Sequence, residues 1–146
     1  MKTYKFIRLD KMSGNRDMSQ VYSGVYFKDG KEAEVENGTI VAIKELLDGH
    51  RELHKVEDVT DSDILVGIIT TPEVLAEERG YVGIENFINE EKEPVRVHIL
   101  HDGDIFSIGN STDTEDLAMG AKLIGKHIQT EQVGRFQHQV YQVQAL

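Results

Sequence analysis

The chain has 146 residues, enough for one ordinary domain that buries roughly 68–70% of its unfolded surface without staples. It contains no cysteine, which excludes disulfides, Cys-ligated zinc and thiol nucleophiles together. Lys and Arg number 16 against 26 Asp and Glu, a formal charge of −10, and no basic cluster offers to neutralise phosphates, so direct nucleic-acid binding is not expected.

The first ten residues, from Met1 to Asp10, carry basic side chains without an apolar run after them, and do not read as a signal peptide. No stretch approaches the roughly 18–20 apolar residues of a membrane-spanning helix. Tyr4–Leu9 alternates like a strand, and Lys11–Gln20 is polar and aperiodic, a loop or mobile arm. Residues 1–20 are therefore expected as an N-terminal strand and arm, with 21–146 as one β-rich domain.

Val21–Phe27 is rich in aromatic and β-branched residues and ends at Asp29-Gly30, a strong turn signal. Asn37-Gly38 gives a second turn before the strand Thr39–Ile43, and Asp48-Gly49 a third before alternation resumes at Glu52–Val56. Asx-Gly turns every 8–12 residues or so between short strands predict a sandwich or barrel. Ile64–Ile69 is the most apolar run and reads as a central strand. Thr71-Pro72-Glu73 then supplies an N-cap, a proline at the first helical position and an acid in the first turn, with Gly80 as the stop of a short helix. Residues 81–94 read as an irregular excursion. Val95–Leu100 is a strand, Asp102-Gly103 turns it into Ile105–Ile108, Thr112–Met119 is a loop or one helical turn, and Lys122–Gln129 and His138–Val143 close the fold. The expected class is mainly β: a compact barrel or sandwich of short strands with one or two short helices.

The best metal candidate is His98-Ile99-Leu100-His101-Asp102-Gly103-Asp104, two imidazoles and two carboxylates within seven residues. Successive strand residues face opposite ways, so His98 and His101 should diverge, and Asp102 is more simply the start of a turn. His50 and His54 would share a strand face about 13–14 Å apart, too far for one ion. Ser107 lies near His101 and Asp104 in sequence without the strained elbow a nucleophilic serine needs. Gly24, Gly30 and Gly38 lack the Lys-Ser/Thr of a phosphate loop. No cofactor or catalytic set is expected. Asn37-Gly38-Thr39 and Asn110-Ser111-Thr112 match glycosylation acceptors that only a secreted chain would use. Large strand aromatics usually fill a core, yet they are also enriched at interfaces. Tyr4, Phe6, Tyr22 and Tyr26 are the candidates for partner contact.

Val35-Glu36-Asn37-Gly38-Thr39-Ile40-Val41-Ala42-Ile43, then Val66-Gly67-Ile68-Ile69, Arg79-Gly80-Tyr81 and Gly103-Asp104-Ile105-Phe106-Ser107-Ile108 stand in an order that resembles the small head-associated proteins of tailed phages. The similarity spans roughly residues 30–130. Where such proteins have a Val-Gly-Asp step before the last strands, this chain has Met119-Gly120-Ala121-Lys122. The resemblance implies an accessory or decoration protein that binds the major capsid protein in many copies or as a homo-oligomer. It would act in the virion, after assembly in the host cytoplasm, without enzymatic activity, nucleic-acid contact or membrane. A cytosolic β-barrel that binds a ligand or regulates, a phage tail component, and a metal-dependent enzyme centred on His98, His101, Asp102 and Asp104 are the alternatives.

Overall fold

The computed structural model describes residues 3–11, 21–47, 49, 53–71 and 88–146. These residues are all β, with no helix among them. Eleven strands occur in order: β1 (Phe6–Lys11), β2 (Val21–Lys28), β3 (Lys31–Glu32), β4 (Ile40–Leu46), β5 (Leu53–Asp58), β6 (Val66–Ile69), β7 (Val95–Ile99), β8 (Ile105–Gly109), β9 (Leu117–Met119), β10 (Leu123–Val133) and β11 (Phe136–Ala145). Residues 72–80 of the expected helix, 12–20 of the expected loop, the Asp48 side of the third turn, His50 and residues 81–87 of the excursion expected over 81–94 lie outside the described residues.

The strands form two sheets of different kind. One runs β3-β2-β5-β4-β6-β7 and closes because β2 also pairs with β7, giving a five-stranded barrel with β3 appended. The other is an open half-barrel in the order β1-β8-β11-β10-β9. Local chemistry explains the hairpins. Asp29 and Gly30 both adopt positive φ, 54° and 81°, the geometry that joins β2 to β3 in a two-residue turn. Gly103, at φ 96°, turns β7 into β8. The parallel pairing of β2 with β5, Ser23 to Leu53 through Tyr26 to Val56, is set by no local turn. It forms because both strands have apolar residues to place inside the barrel.

Side chains fill the barrel: Tyr26, Val35, Val41, Ile43, Val56, Ile69, Val95 and Val97 form one buried cluster. A second cluster joins the two sheets. Val66, Ile68 and Leu100 of the barrel side pack against Phe106, Ile108, Met119, Tyr141 and Val143 of the half-barrel side. The Phe106 and Tyr141 rings stack within it, centroids 5.7 Å apart. Polar bonds seal the same seam. Asp63 holds Lys44 Nζ at 2.7 Å and accepts from the Thr60 amide at 2.8 Å, while its carbonyl accepts from the Ala121 amide at 2.7 Å. The Lys44 hydrogen bond is the main reason the Asp63 carboxyl sits below its usual pKa.

Two sequence expectations shift in extent. The stretch read as a loop or helical turn ends in strand β9, which pairs with β10 from Met119–Leu123 to Leu117–Gly125. The closing strands are longer than expected and meet in a hairpin, Val133 opposite Phe136 across Gly134-Arg135. The polar run Gln129–Gln132 gave no hydrophobic alternation to extend β10, yet cross-strand pairing carries it.

Candidate functional site

The half-barrel has two faces. Phe106, Ile108, Tyr141 and Val143 turn toward the barrel, so the residues between them turn away. One cross-strand row on this outer face runs Arg8 on β1, Ser107 on β8, Val140 on β11 and Gln129 on β10. The next row runs Phe6, Gly109, His138 and Glu131.

A bulge shapes this face. His127 pairs with Tyr141 and Gln129 with Val140, leaving Ile128 as the extra residue of β10. Bulges redirect side chains. Here the redirection leaves Ile128 48% exposed at the rim of a trough of about 300 Å³. Ile105, Ile128 and Val140 give its apolar lining, and Arg8, Ser107, Gln129 and Glu131 its polar groups. The trough therefore offers apolar area for contact, with hydrogen-bonding and charged groups to orient what fills it.

The histidines and carboxylates singled out in the sequence are distributed, not gathered. His98 is buried, and its Nδ1 lies 2.6 Å from Thr70 Oγ1. Burial, helped by the Arg96 charge, holds its pKa below the usual value. His101 is half-buried at the following turn, its Nδ1 3.7 Å from Asp104 Oδ2. Asp104 is buried and accepts from the His101 amide at 2.8 Å, closing the turn. Asp102 accepts from the Ala145 amide at 3.3 Å, beside its role at the start of the turn. Ser107 sits on the trough side of β8, with no histidine among the described residues bonded to it. His54 Nδ1 meets the Lys44 carbonyl at 3.0 Å, and its ring packs on Tyr22. Among the described residues no group of three or more His, Asp and Glu side chains is placed to hold a metal ion.

Asn37 and Asn89 make the other buried polar site. Asn89 Nδ2 donates to the Val35 carbonyl and to Asn37 Oδ1, each at 3.0 Å, and Asn37 Nδ2 donates to the Thr71 carbonyl at 2.7 Å. This fixes both ends of the chain segment between β6 and β7. Asn37 is fully buried, which places this acceptor-like tripeptide inside the fold.

The four aromatic contact candidates separate into two kinds. Phe6 and Tyr26 are each 5% exposed. Phe6 packs edge-on against Phe136 and His138, and Tyr26 belongs to the barrel cluster with its hydroxyl donating to Asp58 at 2.6 Å. Neither offers a free face to a partner: the Tyr26 ring points into the barrel, and Phe6, on the outer face, is covered by Phe136 and His138. Tyr4 and Tyr22 are half-buried and keep some surface. The trough was not visible in the sequence, since Ile128 stands out only once the bulge is known. No family model, curated protein or solved structure matches the chain.

Proposed function

We propose that this protein works by binding and packing, as an accessory protein of a tailed-phage capsid that attaches to the major capsid protein. The observation that carries the reading is the division of labour between the sheets. One is closed on itself and filled, and the other presents a lined trough on the face turned away from it. A filled barrel resists deformation, as reinforcement of a shell requires. The trough supplies an apolar contact, and attachment in many copies makes weak single contacts sufficient. The charge of −10 suits a shell exterior carrying basic residues and is unsuited to facing packaged DNA.

The test is co-sedimentation of the purified protein with heads of the phage whose genome carries its gene. Saturable binding, at a fixed ratio to the major capsid protein, is expected. Protein left wholly in the supernatant, together with its absence from virions, contradicts the proposal.

One observation favours a second reading, a module that binds a small ligand. A volume of about 300 Å³ lies at the lower end of small-molecule sites, and its lining is mainly apolar. A ligand retained through purification, seen by native mass spectrometry and lost in Ile128→Asp, would favour this reading over attachment.

A further inference from the structure

His138 stands apart from the other polar residues of the half-barrel. Its ring is 3% exposed, and its Nδ1 is buried with no hydrogen-bond partner among the described residues. Most buried polar atoms in native proteins are paired, and the unpaired ones mark strain or function. Phe6 of β1 meets the His138 ring edge-on, with centroids 5.4 Å apart, and Phe6 meets Phe136 at 5.1 Å. Gly109 of β8 makes the space between them, since a Cβ there would run into the Phe6 ring and lie 2.8 Å from His138 Cε1.

This packing suits the neutral ring alone. Protonation makes both ring nitrogens donors, leaves the buried Nδ1–H without an acceptor among the described residues and places a full charge beside the Phe6 ring. The charged groups around it divide. Arg8 on β1 opposes a second cation, Glu131 on β10 stands opposite His138 and favours one, and Arg135 lies over the far ring, Phe136. Burial is the largest influence and holds the His138 pKa below its usual value, with Arg8 adding to it and Glu131 opposing.

We propose that His138 is an acid-sensitive latch: when it takes up a proton, the end of β1 that carries Phe6 leaves β8 and uncovers His138, Gly109 and the edge of β8. The element that yields is β1 because it lies at the end of its sheet and its pairing with β8 shifts register between Arg8 and Lys11. β10 and β11, which hold the imidazole from the other side, pair along their whole length with one bulge. Water reaching Nδ1 through the opened edge satisfies the new N–H.

Hydrogen exchange followed by mass spectrometry, at neutral pH and near pH 5, tests this on the whole chain. After correction for intrinsic rates, the amides of Phe6–Arg8 and Ile108–Gly109 should exchange at least about tenfold faster in acid, about 1.4 kcal/mol less protection. Strands β4, β5 and β6 should hold their protection. In His138→Phe the acid effect on β1 should vanish. Equal acceleration in that variant, or loss beginning at β6 and β7 beside the buried His98, overturns the proposal. Titration of the His138 ring by NMR in the unmodified protein stands if the variant does not fold. A value below the usual 6.5 with Phe6 resonances moving in step supports the latch, and a value at or above 6.5 overturns it.

Discussion

The closed barrel and the open half-barrel are built from similar strands and reach opposite ends. In the barrel, β2 meets both β5 and β7, so its ring of five strands leaves no edge and encloses a dry cluster. In the half-barrel, β1 and β9 end the sheet, one face packs on the barrel, and the other is lined by Arg8, Ser107, Gln129 and Glu131 as well as Ile105, Ile128 and Val140. Closure commits every strand edge and the inner face to the fold, whereas an open sheet keeps one face for contact. Changes in the barrel should therefore cost the fold, and changes on the outer face should cost binding.

Glycine substitutions test this most severely. Gly67 lies where β6 crosses β7, and a Cβ there would meet Val97 and stand 2.6 Å from the His98 carbonyl oxygen. Backbone in a closed ring cannot yield, so Gly67→Ala should cost about 3 kcal/mol or more in a denaturant melt, the upper part of the range for overpacking. Gly109→Ala meets side chains instead, Phe6 and His138, on a sheet with a free end. Its cost should be smaller, about 1–3 kcal/mol, with Phe6 displaced in the near-ultraviolet circular dichroism. Equal losses at the two positions would break the contrast.

Acid is the next lever. Burial holds the His98 and His138 pKa values below the usual 6.5, so the unfolded chain binds more protons than the folded one in that range. Stability is complete above about pH 6.5 and falls as pH drops below it. The Asp63 carboxyl, also lowered, adds a further loss only as pH falls below the ordinary carboxylate value of 3.8. A melting temperature flat from pH 7 down to about pH 5 would contradict the burial of both imidazoles. Hydroxyl removal follows. Tyr141 donates to the Asp113 carbonyl at 2.8 Å, and burial pushes its pKa up to about 12. Tyr141→Phe should cost about 1 kcal/mol. Ile128→Ser should change stability least, within about 0.5 kcal/mol, because half of that side chain is already in water. It should still weaken attachment, read as a higher half-saturation in co-sedimentation.

Much of this fold is legible in the chain because its turns are local. Asp102-Gly103 joins two strands the sequence predicts, Asp29-Gly30 ends a third, and Ile64–Ile69 contains β6, flanked on both sides by β4 and β7. Ring closure is not legible, since the β2–β5 and β2–β7 pairings join strands separated by tens of residues through no turn of their own. The ends of β10 and β11 escape for another reason. Gln129, Gln132, Gln137 and Gln139 carry no apolar alternation, and Gln139 sits inside because Nε2 donates to the Ser111 carbonyl and Oε1 meets Thr130 Oγ1 and His127 Nε2. The candidate site was least visible. Strand periodicity places Tyr4, Phe6, Tyr22 and Tyr26 on strands or beside them without fixing which faces are covered. The bulge that exposes Ile128 breaks the period on which such reading depends.

The proposed attachment to a phage shell runs through the outer face of the half-barrel. Hydrogen-exchange footprinting of the protein bound to phage heads tests this directly. Protection is predicted over Arg8, Ile105–Ser107, Ile128–Glu131 and Val140, with the barrel strands β4 to β6 unchanged. Protection confined to the barrel, or none at saturating heads, would contradict it.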